Sequence, residues 1–414
     1  MTLSPARVSG TGVRRLTATL YGYAFLDDFV LLYPVYALLF HDTGLTVWQI
    51  SSLFALWSLT GVLLEVPSGA WADAVSRRVL LWLGPLLTAA GFALWVLTPS
   101  YWAFALGFML WGAKGALSSG ALEALVYEEL DRLGAADRYA RVMGRARAAG
   151  LVAVMAAMGL AGPVFAAGGY PAVGLASLLA CLLAAFAAYL FPEHRAPTAS
   201  TAVHEAADGE SAEGGPADGE PGDGWVRTLR AGLAEVRGDR SVRGALLLVP
   251  AVTAVWGALD EYTPLLVRDT GVSEDAVPQL LLLIYAGATV GGLLAGVGRR
   301  LGTGGLAGLL AGSALVLAAG AVARTPSGIA LVALAFGGFQ LVSVLADARL
   351  QQRIEGAGRA TLTSVAGVGT DLTTVAVYGA YAVIGSTAAH GTVFAVFAVP
   401  YLVTALLLAA RARP

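Results

Sequence analysis

Twelve apolar segments, each of about 18 to 26 residues, constrain this chain more than any other feature. They run Ala18–Phe40, Val47–Ala70, Val79–Leu97, Trp102–Val126, Ala146–Ala167, Ala172–Phe191, Ala245–Val267, Val277–Val297, Gly305–Val322, Gly328–Leu345, Thr361–Ile384 and Val393–Ala410. A helix rises about 1.5 Å per residue, so each can cross a hydrocarbon core of about 30 Å. Lipid offers no partner to backbone N–H and C=O groups, so spans of this kind must be helical. Only 13% of the 414 residues are charged, against about 25% in soluble chains. The first segment holds Asp27 and Asp28 and no small-residue cleavage site, so it reads as a retained span rather than a signal peptide.

The arginines set the expected orientation. Arg7, Arg14 and Arg15 precede span 1, Arg77 and Arg78 follow span 2, and Arg132, Arg138, Arg141, Arg145 and Arg147 surround the loop after span 4. Others follow spans 6, 8, 10 and 12, whereas the alternate loops hold only Arg268 and Arg324. The positive-inside rule then places every even loop and both termini in the cytoplasm of a multi-pass plasma-membrane protein.

Glu193 to Gly224 is rich in Ala, Gly, Glu, Asp and Pro, cannot bury a core, and is expected to be disordered. This linker, 193–224, separates a six-span half at 1–192 from another at 244–414. Between them, at 225–243, Val226, Leu229, Leu233 and Val236 recur at helical spacing with arginines interleaved. That pattern predicts an amphipathic helix on the cytoplasmic face, with further linker as the plainer alternative. The halves echo each other: Asp27-Asp28 with Asp260-Glu261, Asp42-Thr43-Gly44 with Asp269-Thr270-Gly271, Arg77-Arg78 with Arg299-Arg300, and Gly144-Arg145-Ala146 with Gly358-Arg359-Ala360. The acidic pairs stand at different distances from their Asp-Thr-Gly. Together these matches predict two six-helix bundles related by an axis along the membrane normal.

Ionisable side chains inside spans are costly and usually face a cavity or a partner. Asp27 and Asp28 lie near the middle of span 1, Lys114 of span 4 and Asp371 of span 11; Asp260 and Glu261 lie in the outer half of span 7, and Glu65 and Glu123 in the cytoplasmic halves of spans 2 and 4. Lys114 is the only lysine, and an ammonium can lose its proton when buried. We expect Lys114 to pair with Asp28 at rest and to exchange that partner on substrate or proton binding; a fixed structural ion pair is the alternative. Glu123 faces the opposite side of its helix from Lys114 and needs another partner. Tyr33, Tyr36, Trp111, Trp256 and Tyr378 are candidate pocket aromatics, suited to an amphiphilic small molecule, although each could be core packing. The single cysteine, Cys181, and four scattered histidines leave no metal site, and no cofactor is expected. A net charge of −2 gives no hint of nucleic-acid binding.

Gly69, Asp73, Arg77 and Arg78 follow the spacing Gly-x-x-x-Asp-x-x-x-Arg-Arg between spans 2 and 3. This resembles the signature loop of the major facilitator superfamily of secondary transporters, with Ala74 where a basic residue is common and Ser76 where glycine is common. As a gate, Gly69 would let span 2 approach a neighbour, Asp73 would face a helix N-terminus, and the arginines would hold the loop at headgroups; a basic turn is the alternative. The resemblance implies an all-α membrane protein with twelve transmembrane helices in two six-helix bundles, and a central cavity lined by spans 1, 4, 7 and 10. Gly150, Gly159, Gly162-Pro163 and Gly168-Gly169 in span 5 look like the motif of the drug:proton antiporter branch. The expected function is proton-coupled export of small organic or drug-like molecules by alternating access, acting as a monomer. A proton-coupled importer, or a receptor or scaffold without transport, are the rivals. No nucleophile–base set, nucleotide loop or metal cluster argues for an enzyme.

Overall fold

The computed structural model describes residues 5–118, 120–194, 240–298, 300–353 and 359–412, excluding the side chains of 5–9, 65–74, 240–242, 353, 359–364 and 412. The expected linker and most of the amphipathic segment therefore lie outside the described residues, as do the side chains of Glu65, Gly69 and Asp73.

The described backbone is helical, without a strand. Span 1 is Pro5–Asp28 and, after a break at 29–35, Tyr36–Asp42; span 2 is Val47–Ala74; span 3 is Arg77–Leu97; span 4 is Tyr101–Ser118 with Ala121–Arg132. Spans 5 and 6 form one run, Tyr139–Tyr189, that folds back where Gly168 and Gly169 leave helical geometry. Span 7 is Arg240–Asp260 with Thr263–Arg268, span 8 Val277–Leu293 with Ala295–Gly298, span 9 Thr303–Ala323, span 10 Pro326–Arg353, span 11 Arg359–Gly385, and span 12 His390–Val396 with Ala398–Ala412. Twelve spans put both ends of the chain on one face, called here the termini face; the other is the far face. Residues 240–243, expected in the interfacial helix, open span 7.

Within the first half, span 1 packs on the 5–6 run, span 3 on that run and on span 4, and span 2 on span 4. Within the second, span 7 packs on spans 10 and 11, span 8 on span 10, and span 9 on spans 10 and 12. The main contacts between halves are span 2 with span 11 and the 5–6 run with span 8. Exchanging the halves turns span 2 into 8 and span 11 into 5, so these are one contact repeated about an axis between the bundles. Large apolar side chains face outward, as Leu406 does at 70% exposure, and supply the lipid-facing belt.

Spans 1 and 7 were expected to be continuous and are instead broken beside their acidic pairs. Irregular backbone survives at membrane depth only where protein or a cavity covers it. In span 1 the free N–H of Leu32 donates to the buried Ser177 hydroxyl of span 6 at 2.9 Å. The break takes residues 29–35 in span 1 but only 261–262 in span 7, which accounts for the unequal spacing of the acidic pairs. Beyond each break a short helix ends in the repeated Asp-Thr-Gly. Gly44 (φ 89°) and Gly271 (φ 81°) take the left-handed conformation that closes such an end. The Thr43 and Thr270 hydroxyls each donate to a carbonyl of the last turn, at 2.7 Å.

Candidate functional site: a charged cavity between the halves

Three adjoining chambers lie between the bundles. The first, about 240 Å³, is lined by Asp27, Asp28, Tyr33, Trp111, Lys114 and Tyr285 among others. It shares Trp111 and Lys114 with a chamber of about 410 Å³ that reaches Trp57, Ser58, Gly61 and Asp371. It shares Tyr33 and Tyr285 with a third, of about 480 Å³, bounded by Trp256, Asp260, Thr289, Phe336 and Gln340. Spans 1, 2, 4, 5, 7, 8, 10 and 11 all contribute.

Lys114 Nζ donates to Asp27 Oδ2 at 2.7 Å, with side-chain exposures of 16% and 19%. The expected pairing with Asp28 is thus corrected to Asp27. Adjacent helical residues point about 100° apart, and glycines in neighbouring spans decide which one faces Lys114. A Cβ on Gly84 of span 3 would lie 3.0 Å from Lys114 Cγ, so the glycine makes room for the lysine stem. A Cβ on Gly150 of span 5 would collide with the Asp28 carboxylate, so Asp28 turns into that space. Asp28 is exposed within the cavity, and its carboxylate has no hydrogen bond or ion pair with any described residue.

Across the cavity, Tyr285 donates to Asp260 Oδ2 at 2.6 Å. The Tyr33 hydroxyl lies 3.1 Å from that of Tyr285 and 3.4 Å from the same carboxylate oxygen. This triad joins span 1 of one half to spans 7 and 8 of the other. Tyr285 was missed by the sequence reading, although it is the only aromatic residue in span 8. Glu261 sits in the break of span 7, only 7% exposed; its Oε2 is sealed and has no hydrogen-bond partner among the described residues.

The other expected site residues divide. Trp111, Trp256, Tyr33 and Asp371 line the chambers, and Trp256 also donates to Ser343 at 3.1 Å. Tyr36 is buried among Phe40, Phe54, Trp95, Phe108 and Trp111, and Tyr378 packs on Phe54 and Tyr262. Neither Tyr36 nor Tyr378 lines the chambers, and neither does Glu123.

The two halves meet closely at the far face. Tyr262 donates to Ser51 at 2.7 Å, Phe54 stands edge-on to Tyr262, and Arg268 Nη1 donates to Asp42 Oδ1 at 2.6 Å. Tyr170 donates to the other Asp42 oxygen at 2.5 Å. Among the described residues, the buried apolar cores of the halves form one cluster toward this face and separate clusters toward the termini face. Asp42 lies beyond the apolar stretch that ends at Phe40. Burial pushes its carboxyl up, but hydrogen bonds from Tyr170 and Arg268, with the Arg268 charge, outweigh this and hold it below the usual carboxylate range. A depressed carboxylate contributes fully above its ordinary pKa of about 3.9 and loses that contribution as the pH falls from there through the lowered value, so acidification to about pH 5 leaves this latch closed. Arg268→Ala should weaken it by about 1 kcal/mol, a roughly fivefold rise in the open population. The measure is maleimide labelling of Ser51→Cys, for which the buried Cys181 gives little background. Exchange of the charges, Asp42→Arg with Arg268→Asp, should restore slow labelling; equal rates in all forms would dismiss the latch.

At the termini face the loop between spans 2 and 3 is held by acids. Ser76 caps span 3, accepting from the Val79 N–H at 3.3 Å. Its hydroxyl donates to Glu193, whose other oxygen accepts from the Arg77 N–H at 2.9 Å. The Arg77 guanidinium pairs with Glu128, and Arg78 lies over the Tyr189 ring. Next to it, the buried Glu129 accepts from Arg132 and from the His194 N–H at 2.8 Å, so the first two residues of the expected linker are fastened to the bundle. These acidic anchors were not foreseen from sequence.

A family profile described as Major Facilitator Superfamily matches residues 17–378. No curated protein sequence matched at a significant level. Among solved structures, a single-substitution form of the nucleoside transporter NupG aligns with TM-score 0.75 at 13% identity, covering 96% of this chain and 100% of that one. A D-xylose-proton symporter aligns with TM-score 0.68 at 14% identity, covering 95% and 96%. An auto-inhibited peptide transporter of the POT family aligns with TM-score 0.65 at 14% identity, covering 97% of each chain.

Proposed function

Because the chain belongs to the Major Facilitator Superfamily, a family of membrane transporters, we propose that it works by alternating access and exports small organic, drug-like molecules in exchange for protons. The observation that carries this reading is the cavity itself: chambers at membrane depth that hold charged side chains, between two bundles whose cores merge on one side of it and part on the other. In this reading the termini face is cytoplasmic, and the structure represents the state open to the cytoplasm. Rocking about the span 2–11 and span 5–8 contacts would open the far face and close the other. Glu261 is the proposed proton carrier. It is sealed while the far face is shut, and it would be hydrated when that face parts. The Lys114–Asp27 pair is the proposed switch beneath the substrate, and the loop at Gly69, Asp73, Arg77 and Arg78 the proposed gate.

Proteoliposomes test this with a panel of cationic, neutral and anionic drug-like compounds and a pH-sensitive dye inside. An acid interior should drive net uptake of at least one compound, with proton release outward. Silence across the panel would remove the transport reading. Uptake driven only by an acid exterior would assign symport, the second reading, for which the D-xylose-proton symporter supplies the same fold.

A further inference from the structure

Resting on that transport reading, we infer that the substrate is an organic cation: a protonated amine or other fixed positive charge on a planar, aromatic body, with Asp28 as its counter-ion. Among the described residues, the acidic and basic side chains lining the three chambers are Asp27, Asp28, Asp260, Asp371 and Lys114. Four carboxyl groups face one ammonium, and that ammonium is already bound by Asp27 at 2.7 Å. An anion would therefore find no free positive charge among the described residues of the chambers. A neutral polyol would find few free donors, since the Tyr285 hydroxyl is taken by Asp260.

Asp28 differs from the other acids. It is exposed into the first chamber and has no partner among the described residues, although charged groups at membrane depth are normally paired. Around it stand Tyr33, Trp111 and Tyr285, whose ring faces attract a cation. Trp57 stacks on Trp111 at 5.2 Å in the adjoining chamber and extends a flat apolar wall for the rest of the ligand. The openings past Lys114 and past Tyr285 give a two-ring body room beyond the 240 Å³ of the first chamber. The acid, the aromatic faces and the space converge on the same ligand.

The test is calorimetric titration of the purified full chain in detergent micelles, at neutral pH, with two probes of similar shape and opposite charge, N-methyl-4-phenylpyridinium and biphenyl-4-carboxylate. The pyridinium should bind saturably and the carboxylate should not. Asp28→Asn should weaken the cation at least about tenfold, a loss of about 1.4 kcal/mol, and Asp28→Glu should retain affinity to within a few-fold. Equal or tighter binding of the carboxylate, no saturable cation binding, or an unchanged affinity in Asp28→Asn would overturn the inference. Should Asp28→Asn fail to fold, the comparison of the two probes on the unaltered protein still decides. Cation binding without proton-linked flux would leave this inference standing and remove exchange; flux without preference for the cation would do the reverse.

Discussion

Replacing Lys114 with methionine should abolish transport and destabilise the protein by about 3 kcal/mol, the lower end of what removing one partner of a buried pair costs. Lys114 and Asp27 are each less than one-fifth exposed, and their 2.7 Å contact lies beside a chamber that water can enter. The loss comes less from the missing attraction than from the Asp27 charge left at membrane depth without a donor. The double replacement Lys114→Met with Asp27→Leu removes that orphaned charge. It should return thermal stability to within about 1 kcal/mol of the parent, since apolar substitutes for buried pairs are often neutral or better. Transport should remain absent in the double variant if the pair acts as a switch, and should return if the pair only holds spans 1 and 4 together. Lys114→Arg is not a conservative control, because a longer, planar guanidinium does not reproduce the compact ammonium that meets one Asp27 oxygen at 2.7 Å. Thermal unfolding in micelles and substrate counterflow in liposomes read the two quantities separately.

The membrane fold was legible because lipid leaves a span so few options: length, apolarity and the alternation of arginine loops specify twelve crossings and a common face for the termini. Arg268, an exception to that alternation, pairs with Asp42 at the far face. The breaks in spans 1 and 7 were hidden, since Val30, Leu31 and Leu32 are as apolar as any helical run. The signal was proline: Pro34 stands in the first break, and Pro264 opens the helix after the second, the position where a missing N–H costs nothing. The cavity was legible as a set of charges but not as a geometry. Whether Asp27 or Asp28 meets Lys114 depends on the rotation of span 1, set by glycines in spans 3 and 5. A chamber wall cannot be told from a packed ring by residue type, as Tyr33 and Tyr36 show: they are three residues apart, one lining the cavity and one enclosed by six aromatic neighbours, Tyr33 among them.

Glu261→Gln should separate substrate movement from proton movement. In the structure, Glu261 Oε2 is sealed without a partner among the described residues, so the share of a negative charge on that oxygen would be neither hydrated nor hydrogen-bonded by them. Such a charge costs several kcal/mol. If opening of the far face brings water to this carboxyl, its charge and the conformation are linked, and a coupling free energy of about 3 kcal/mol corresponds to a bias of roughly 150-fold. Glutamine copies the shape and the neutrality of the sealed side chain but cannot ionise. The variant should therefore fold normally and support substrate counterflow, which needs no net proton movement. Its proton-driven accumulation should fall at least about tenfold, the equivalent of one pKa unit of lost linkage. Asp260→Asn is the discriminating companion. Asp260 already accepts from Tyr285 at 2.6 Å, so its charge has a partner in the closed state and depends less on the far face. Substrate-linked proton release should survive in Asp260→Asn and vanish in Glu261→Gln. The opposite result would transfer proton carriage to Asp260 and leave Glu261 as a structural acid in the break of span 7.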